Sequence, residues 1–373
     1  MRITAAVLDR IGHPAPFAEP PLRLATLDLA PPGSDELLVR IDAAGLCHSD
    51  LSVINGDRPR PMPMALGHEA AATVIEAGAH ATGFAPGDKV VLAFLPMCGD
   101  CVPCRSGEGW LCANGAAANG AGTLLCGEHR LSEAGQLVHH HLGCSAFASH
   151  AVVDRRSAVK IPADVPAEIA ALFGCAVLTG VGAVLNAGAL RAGETVAVYG
   201  LGGVGAAALL GALAGGAARV VGIDPVAAKR ALALDLGAAA AVDPADGEDA
   251  IVAAFGGRPD LVIETAGRAA VLAEAYRLAR RGGRIVTVGL PNPAEQLSIP
   301  AVSLVADAKT LVGSYLGNAI PARDIPRYLA LWRAGRLPVE RLLSSVSPLA
   351  EINQLFERLA AGDAVRQVVL PPA

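Results

Sequence analysis

The chain has 373 residues, room for about two domains. With 53% hydrophobic and 17% charged residues and a mean hydropathy of +0.44, it should bury a large core. A formal charge of −5, with no block of like charges, excludes the basic field that would attract nucleic acid or an anionic membrane. No low-complexity tail or internal repeat is visible.

In chain order, "MRITAAVLDRIGHPAP" does not read as a signal peptide, because Asp9 and Arg10 break the apolar stretch before an h-region forms. A cytoplasmic location is expected. Thiols stay reduced there, so eight cysteines point to metal or catalysis rather than disulfides. "ELLVRIDAAGLC", "AATVIEAG" and "GDKVVLAF" are short β-rich runs broken by Gly, Pro and Asp, which predicts an irregular, mostly-β domain. From about residue 178 strands and helices alternate. "TVAVYG", "ARVVGID", "GAAAAVD", "DLVIETAG", "GGRIVTVGL" and "KTLVGSY" are the strands, with a helix through "AVLAEAYRLAR" among those between them. Such alternation predicts an α/β fold with a doubly wound parallel sheet. A tail from about residue 316 holds helices in "RDIPRYLALWRAG" and "EINQLFERLAAG" and a last strand in "VRQVVLP". The uncharged stretch between Glu194 and Arg219 is long enough to cross a bilayer and holds a G-x-x-x-G. A buried strand, "ETVAVYG", followed by an Ala/Leu-rich buried helix is the better reading.

"VAVYGLGGVG" places Gly200, Gly202 and Gly205 in G-x-G-x-x-G register between a strand and a helix, with Gly203 and Val204 completing the turn. The first glycine permits the tight turn, the second lets the backbone approach a pyrophosphate, and the third lets helix pack on sheet. The helix N-terminus offers free N–H groups to phosphate. Asp224 ends the next strand, nineteen residues after Gly205, where a carboxylate accepts ribose hydroxyls and repels a 2′-phosphate. That favours NAD over NADP. Lys229, one turn into the following helix, is within reach of the same ribose.

Cys98, Cys101, Cys104 and Cys112 stand as C-x2-C-x2-C-x7-C in a lobe of about residues 96–114, the ligand count of a closed tetrahedral zinc site. Such a site leaves no place for substrate and is structural. A nucleic-acid-binding zinc ribbon would need a basic patch that is missing here. A catalytic zinc needs three protein ligands and an open position. Cys47, His68 and Cys175 are candidates, but their separation carries no spacing signal. A lone cysteine is usually a small core residue, and a lone histidine a satisfied polar group. "HHH" at 139–141 carries no metal signal, since adjacent residues point different ways. Cys126 and Cys144 are expected to be buried structural thiols. His13, His80, His129 and His150 carry no readable signal.

The landmarks "GLCHSDL", "GHEAAATVIEAG", "GDKVV", the four-cysteine lobe, "GCAVLTGVGA", "GLGGVG" and Asp224 together resemble the zinc-dependent medium-chain alcohol dehydrogenases across essentially the whole chain. Within that family the chain is most similar to the longer liver-type and formaldehyde-oxidising branches. The resemblance implies a GroES-like catalytic domain at residues 1–177, a Rossmann domain at 178–315, and a return to the catalytic domain at 316–373. It implies two zinc ions per subunit, the catalytic one on Cys47, His68 and Cys175, with Glu69 behind it as an alternate ligand. Asp50 would fix the tautomer of His68, and Ser49 would accept the alcohol proton. His48 and Arg366 would lie near the cofactor pyrophosphate. Thr179 and Val204 would flank the nicotinamide, and Phe94, His141, Leu142 and Leu290 would line the pocket. The family's proton relay often ends in a histidine, whereas the matching place here is Ser52, which cannot serve as a base near neutral pH.

The activity implied is reversible hydride transfer between a primary or secondary alcohol and NAD, with no nucleic-acid or membrane partner. A homodimer is expected, with "KTLVGSYLG" as the pairing edge and a tetramer as the alternative. The competing reading is a formaldehyde dehydrogenase acting on the adduct with a thiol such as mycothiol or glutathione. The glutathione type commonly carries an arginine after the last lobe cysteine, whereas this chain reads "CANGAAANG". A zinc-bearing binding protein without catalysis is the third reading, opposed by the full ligand set and Ser49.

Overall fold

The structure, a computed structural model, describes residues 1–372. The chain divides into two compact units. One comprises Met1–Cys175, Ile320–Pro326 and the chain from Leu343 on; the other comprises Ala176–Ala319 and Arg327–Leu342. The α/β class, with a mostly-β part and a parallel-sheet part, is as expected.

The first unit carries a small closed barrel of five strands, Arg2–Leu8, Leu22–Leu29, Leu131–Glu133, Gln136–His140 and Met64–Ala65. Beside it lies a seven-stranded sheet. Its longest strand, Glu36–Gly45, pairs antiparallel with Ala70–Ala77, with His150–Asp154 and with the C-terminal strand Arg366–Leu370. Strands here alternate apolar and polar faces. Their apolar sides gather Leu37, Val39, Ile41, Val74, Val90 and Leu92 with Phe147 and Phe356, whose rings meet edge to face at 5.9 Å.

The second unit is a six-stranded, wholly parallel sheet. Counted in chain order, its strands lie third, second, first, fourth, fifth, sixth: Ala240–Val242, Arg219–Ile223, Thr195–Tyr199, Leu261–Glu264, Arg284–Thr287, Thr310–Gly313. This is the doubly wound order that opens a ligand crevice where the winding reverses, at the C-terminal ends of the first and fourth strands. The uncharged stretch after Glu194 is the central strand Thr195–Tyr199 and the buried helix Gly203–Ala214. Its small residues serve close packing: a Cβ on Gly211 would press on the Val181 backbone, and one on Gly180 would overlap the Val204 carbonyl. Among the described residues no single helix is long and apolar enough to cross a membrane.

The tail differs from the expected single return at 316–373. The division falls inside the helix Pro321–Arg333, and Arg327–Leu342 belongs to the dinucleotide-type unit. Arg336 donates to the Ala214 carbonyl at 2.6 Å and Arg341 to the Asp235 carbonyl at 2.7 Å, which ties this segment to two helices of that unit. The expected boundaries at 177/178 and 315/316 lie two and four residues from those observed, 175/176 and 319/320.

Candidate active site and metal centres

Cys98, Cys101, Cys104 and Cys112 bring their sulfurs within 4.8 Å of one another. The Cys98–Cys104 and Cys101–Cys112 separations are 4.0 and 3.9 Å. Disulfide sulfurs stand about 2.05 Å apart, whereas four sulfurs at about 2.3 Å from one tetrahedral zinc stand ~3.8 Å apart. The donor set therefore fits zinc and not disulfides. Backbone N–H groups point at the same sulfurs: Cys98 and Gly115 donate to Cys112 Sγ, and Cys101 donates to Cys98 Sγ, each at 3.3 Å. These bonds favour thiolate; Cys101 falls to about 6, chiefly through backbone donation near Cys104, and Cys98 falls too, while burial pushes Cys104 and Cys112 up.

The second cluster is assembled from three places in the first unit. Cys47 follows the strand Glu36–Gly45 and caps the helix His48–Ile54 with an extended backbone. His68 precedes the strand Ala70–Ala77, after Gly67 at φ +94, where a Cβ would collide with the Phe147 backbone. Cys175 follows Gly174, whose missing side chain lets the chain press on the Leu92 carbonyl. All three residues are buried, with ligand atoms within 4.8 Å of one another. Hydrogen bonding to Cys175 holds Cys47 well below the usual thiol range, against burial, while the shared proton and burial push Cys175 up. Two sulfurs and an imidazole sharing protons in a buried site are a donor set suited to zinc, which takes the place of those protons. Three donors leave a fourth position for water or substrate.

Asp50, 0% exposed, fixes this cluster from behind. Its Oδ1 lies 3.0 Å from His68 Nδ1, and its Oδ2 accepts the Cys47 N–H at 3.2 Å. An ionised carboxylate only accepts, so His68 Nδ1 carries hydrogen and Nε2 is left for a metal. Burial alone would lower His68; the charge and hydrogen bond of Asp50, then those of Cys47, raise it to about 10.

Glu69, also fully buried, forms an ion pair with Arg366 of the C-terminal strand. Gly45 makes room, since a Cβ there would overlap the Glu69 carboxylate. Arg366, expected near a pyrophosphate, pairs with Glu69 in this structure, with 4% of the side chain exposed. Ser49 is half-buried and His48 exposed on the helix after Cys47. The Ser52 hydroxyl donates to the His48 carbonyl at 3.0 Å.

Phe94 meets the His68 ring edge-on at 5.7 Å, and His141 does so at 5.5 Å. The Asn119 side chain donates to the Phe94 carbonyl at 2.8 Å and fixes that stretch. Leu142 is buried beside them in sequence, while Leu290 belongs to the other unit and is 53% exposed. Two features escaped the sequence. His141 Nδ1 lies 3.2 Å from the same Asp50 oxygen that faces His68. Cys126, expected to be buried, is exposed, with its thiol donating to Glu36 Oε1 at 3.1 Å; Cys144 is buried as expected.

In the second unit Gly200 sits at φ +82, and Gly205 packs so tightly on the Gly200 carbonyl that any side chain would overlap it. Gly202 has nothing within 4 Å of a would-be Cβ, leaving the turn open to a ligand at the head of the helix Gly203–Ala214, on which Val204 lies half-buried. Asp224 is buried, accepting the Leu201 and Val226 N–H groups at 2.7 and 2.8 Å. Each oxygen keeps a lone pair for a ribose hydroxyl. Lys229 is half-buried one turn on, and Thr179 is buried in the helix Ala176–Gly182. Glu264, which no sequence signal singled out, ends the fourth strand of the sheet, raised by burial and holding Gly267 N–H and Thr287 Oγ1 at 2.8 Å each.

A sulfur-rich metal cluster in a β unit and an open glycine turn on a doubly wound sheet together define a metal-dependent dehydrogenase. Residues 33–163 match the family model of the alcohol dehydrogenase GroES-like domain, and residues 203–333 that of the zinc-binding dehydrogenases. The chain belongs to the zinc-dependent medium-chain alcohol dehydrogenase family, as an oxidoreductase acting on CH–OH groups with zinc and NAD. It is 39% identical to geraniol dehydrogenase of Castellaniella defragrans over 98% of this chain and 97% of that one. It is 34% identical to S-(hydroxymethyl)glutathione dehydrogenase of Synechocystis over 99% and 100%. The crystal structure of benzyl alcohol dehydrogenase from Acinetobacter calcoaceticus superposes with a TM-score of 0.93 at 29% identity, covering all of both chains.

Proposed function

We propose that the chain catalyses the reversible oxidation of a primary or secondary alcohol by NAD, giving the aldehyde or ketone, NADH and a proton. The observation that carries this reading is the buried Cys47, His68 and Cys175 set with a carboxylate behind its histidine. Zinc held by Cys47, His68 and Cys175 would supply Lewis acidity toward the alcohol oxygen, and NAD held at the glycine turn would supply the hydride acceptor. Cys47, His68 and Cys175 hold the metal; Asp50 fixes the His68 tautomer. Ser49 takes the alcohol proton through its hydroxyl and hands it on. Ser52 stands where the family's relay often ends in a histidine and cannot serve as a base near neutral pH, so the last step passes to water or to another nearby group. Arg366 pairs with the buried Glu69, the residue we take as an alternate ligand for the metal. Asp224 holds the ribose and excludes a 2′-phosphate, with Lys229 beside it. Gly200, Gly202, Gly203, Val204 and Gly205 receive the pyrophosphate, and Thr179 flanks the nicotinamide. Phe94, His141 and Leu142 form the pocket wall nearest the metal ligands.

A thiol-adduct formaldehyde dehydrogenase is the second reading, favoured by the full-length similarity to the S-(hydroxymethyl)glutathione enzyme. Against its glutathione form, the helix Ala113–Ala121 that follows Cys112 carries no charged residue to hold a carboxylate. NADH formation with geraniol, benzyl alcohol and short alkanols, and with formaldehyde plus glutathione or mycothiol, separates the two. Turnover of free alcohols without thiol is expected. Turnover only with thiol and formaldehyde would overturn the alcohol reading, and none with any substrate would favour a binding protein.

The assembly proposed is a homodimer through the edge strand Thr310–Gly313. The preceding helix Ala301–Ala306 supports it, exposing Val302 and Val305 at 73% and 85%.

A further inference from the structure

Asp50 faces two imidazoles, not one. Its Oδ1 lies 3.0 Å from His68 Nδ1 and 3.2 Å from His141 Nδ1, with all three side chains at most 1% exposed. The His68 contact is a well-formed hydrogen bond. The His141 contact is close but poorly aligned, and His141 Nδ1 has no hydrogen-bond partner elsewhere. The second ring is held there at some cost to the backbone. Leu142 and Ser145 occupy the left-handed region at φ +50 each, which side chains other than glycine, asparagine and aspartate rarely adopt. The Ser145 hydroxyl accepts the His141 N–H at 3.0 Å and closes that turn.

One carboxylate oxygen has limited charge to share. A carboxylate behind a metal-ligating histidine makes that histidine a stronger donor, and altering such a partner typically changes metal affinity by about 10–100-fold. A second N–H on the same oxygen draws part of that charge away.

We propose that His141 is a positioning residue that competes with His68 for Asp50 Oδ1 and so weakens the grip of His68 on the catalytic zinc. The inference rests on Cys47, His68 and Cys175 being the ligands of that zinc. Removing the competing donor concentrates Asp50 on His68 and tightens the metal; restoring a donor at the same place restores the weaker grip. Asparagine serves, because its Nδ2 lies as far along the side chain as histidine Nδ1.

The test uses the purified holoenzyme mixed with a chromogenic zinc chelator. Cys175→Ala identifies the two release phases, since it should keep only the lobe zinc. If it keeps both, the ligand assignment fails and not the role of His141. In His141→Phe and His141→Leu, two shapes without a donor, release of the catalytic zinc should slow about threefold or more, a fraction of the range known for such partners. The lobe phase should not change. His141→Asn should release zinc at the wild-type rate. With cobalt in place of zinc, the visible ligand-field band should move in the Phe and Leu proteins and not in the Asn protein. Faster or unchanged release in both donor-less variants, or the same change in all three, would overturn the proposal, the latter marking a purely structural role.

Discussion

Asp224 shows how one side chain serves both fold and selectivity. Its oxygens already accept the N–H groups of Leu201 and Val226, so its removal would also loosen the glycine turn. Asp224→Asn keeps the shape and an acceptor but deletes the charge. The ratio of kcat/KM for NADP to that for NAD should rise about tenfold or more, some 1.4 kcal/mol of relieved repulsion. An unchanged ratio would place the discrimination elsewhere. Ser52 offers a complementary experiment. A histidine there brings a group that titrates near pH 6.5. Below that pH it is protonated and accepts no proton; above it, it is a base. Ser52→His should therefore give the kcat of alcohol oxidation a new rise centred near pH 6.5, and an identical pH profile would count against proton exit at this end of the helix. Neither role needed the structure to be suspected: that of Asp224 follows from its spacing after the glycine turn, and that of Ser52 from the family likeness. The place of His141 did need it. Three successive histidines say nothing about which one turns toward Asp50, and the left-handed turns at Leu142 and Ser145 leave no mark on non-glycine residues.

Elements divide the two zinc clusters by how they are built. The lobe is made by one short segment, with ligands closed on themselves and supported by their own backbone N–H groups. Its spacing was therefore legible as soon as the cysteines were counted. The Cys47, His68 and Cys175 cluster is made where a helix start, a strand entry and a chain turn meet, so residues alone left it open and only the family likeness singled it out. Their roles should separate by mutation. Cys175→Ala should lose one zinc and all measurable NADH formation with little change in Tm, since a buried thiol yields to a methyl of smaller size. Cys101→Ala should lose the other zinc and lower Tm by about 10 °C or more. A closed zinc site supplies several kcal/mol of folding energy, and each kcal/mol moves Tm by roughly 2–4 °C in a domain of this size. A stable Cys101→Ala protein with a specific loss of chemistry would reverse the assignment.

For the whole molecule, the alternation of strands and helices after residue 178 made the parallel sheet legible, because most of its strands are short runs rich in β-branched residues, with Ala240–Val242 the exception. The segment Arg327–Leu342 was not legible as part of that unit. A continuous helix with one apolar face looks the same whichever core receives each half, and the contacts of Tyr328 with Asn186, of Arg336 with Ala214 and of Arg341 with Asp235 reveal the attachment. Assembly is tested at this scale. Val305 at 85% exposure and Val302 at 73% lie on the helix that precedes Thr310–Gly313, the edge strand of the parallel sheet, which is the interface proposed above. Light scattering of the eluted wild type should give twice the subunit mass, and Val302→Lys with Val305→Glu should give a single subunit mass with the cofactor turn intact. A monomeric wild type would remove the interface.

The C-terminal strand Arg366–Leu370 joins the longest strand of the catalytic sheet, and its first residue neutralises Glu69 beside the metal ligands. During synthesis, then, the ligands emerge long before the piece that completes their surroundings. The dinucleotide-type unit, largely contiguous from Ala176, has all six of its strands in hand first. A nascent chain stalled short of Arg366 would carry Cys47, His68 and Cys175 without the arginine that pairs with Glu69.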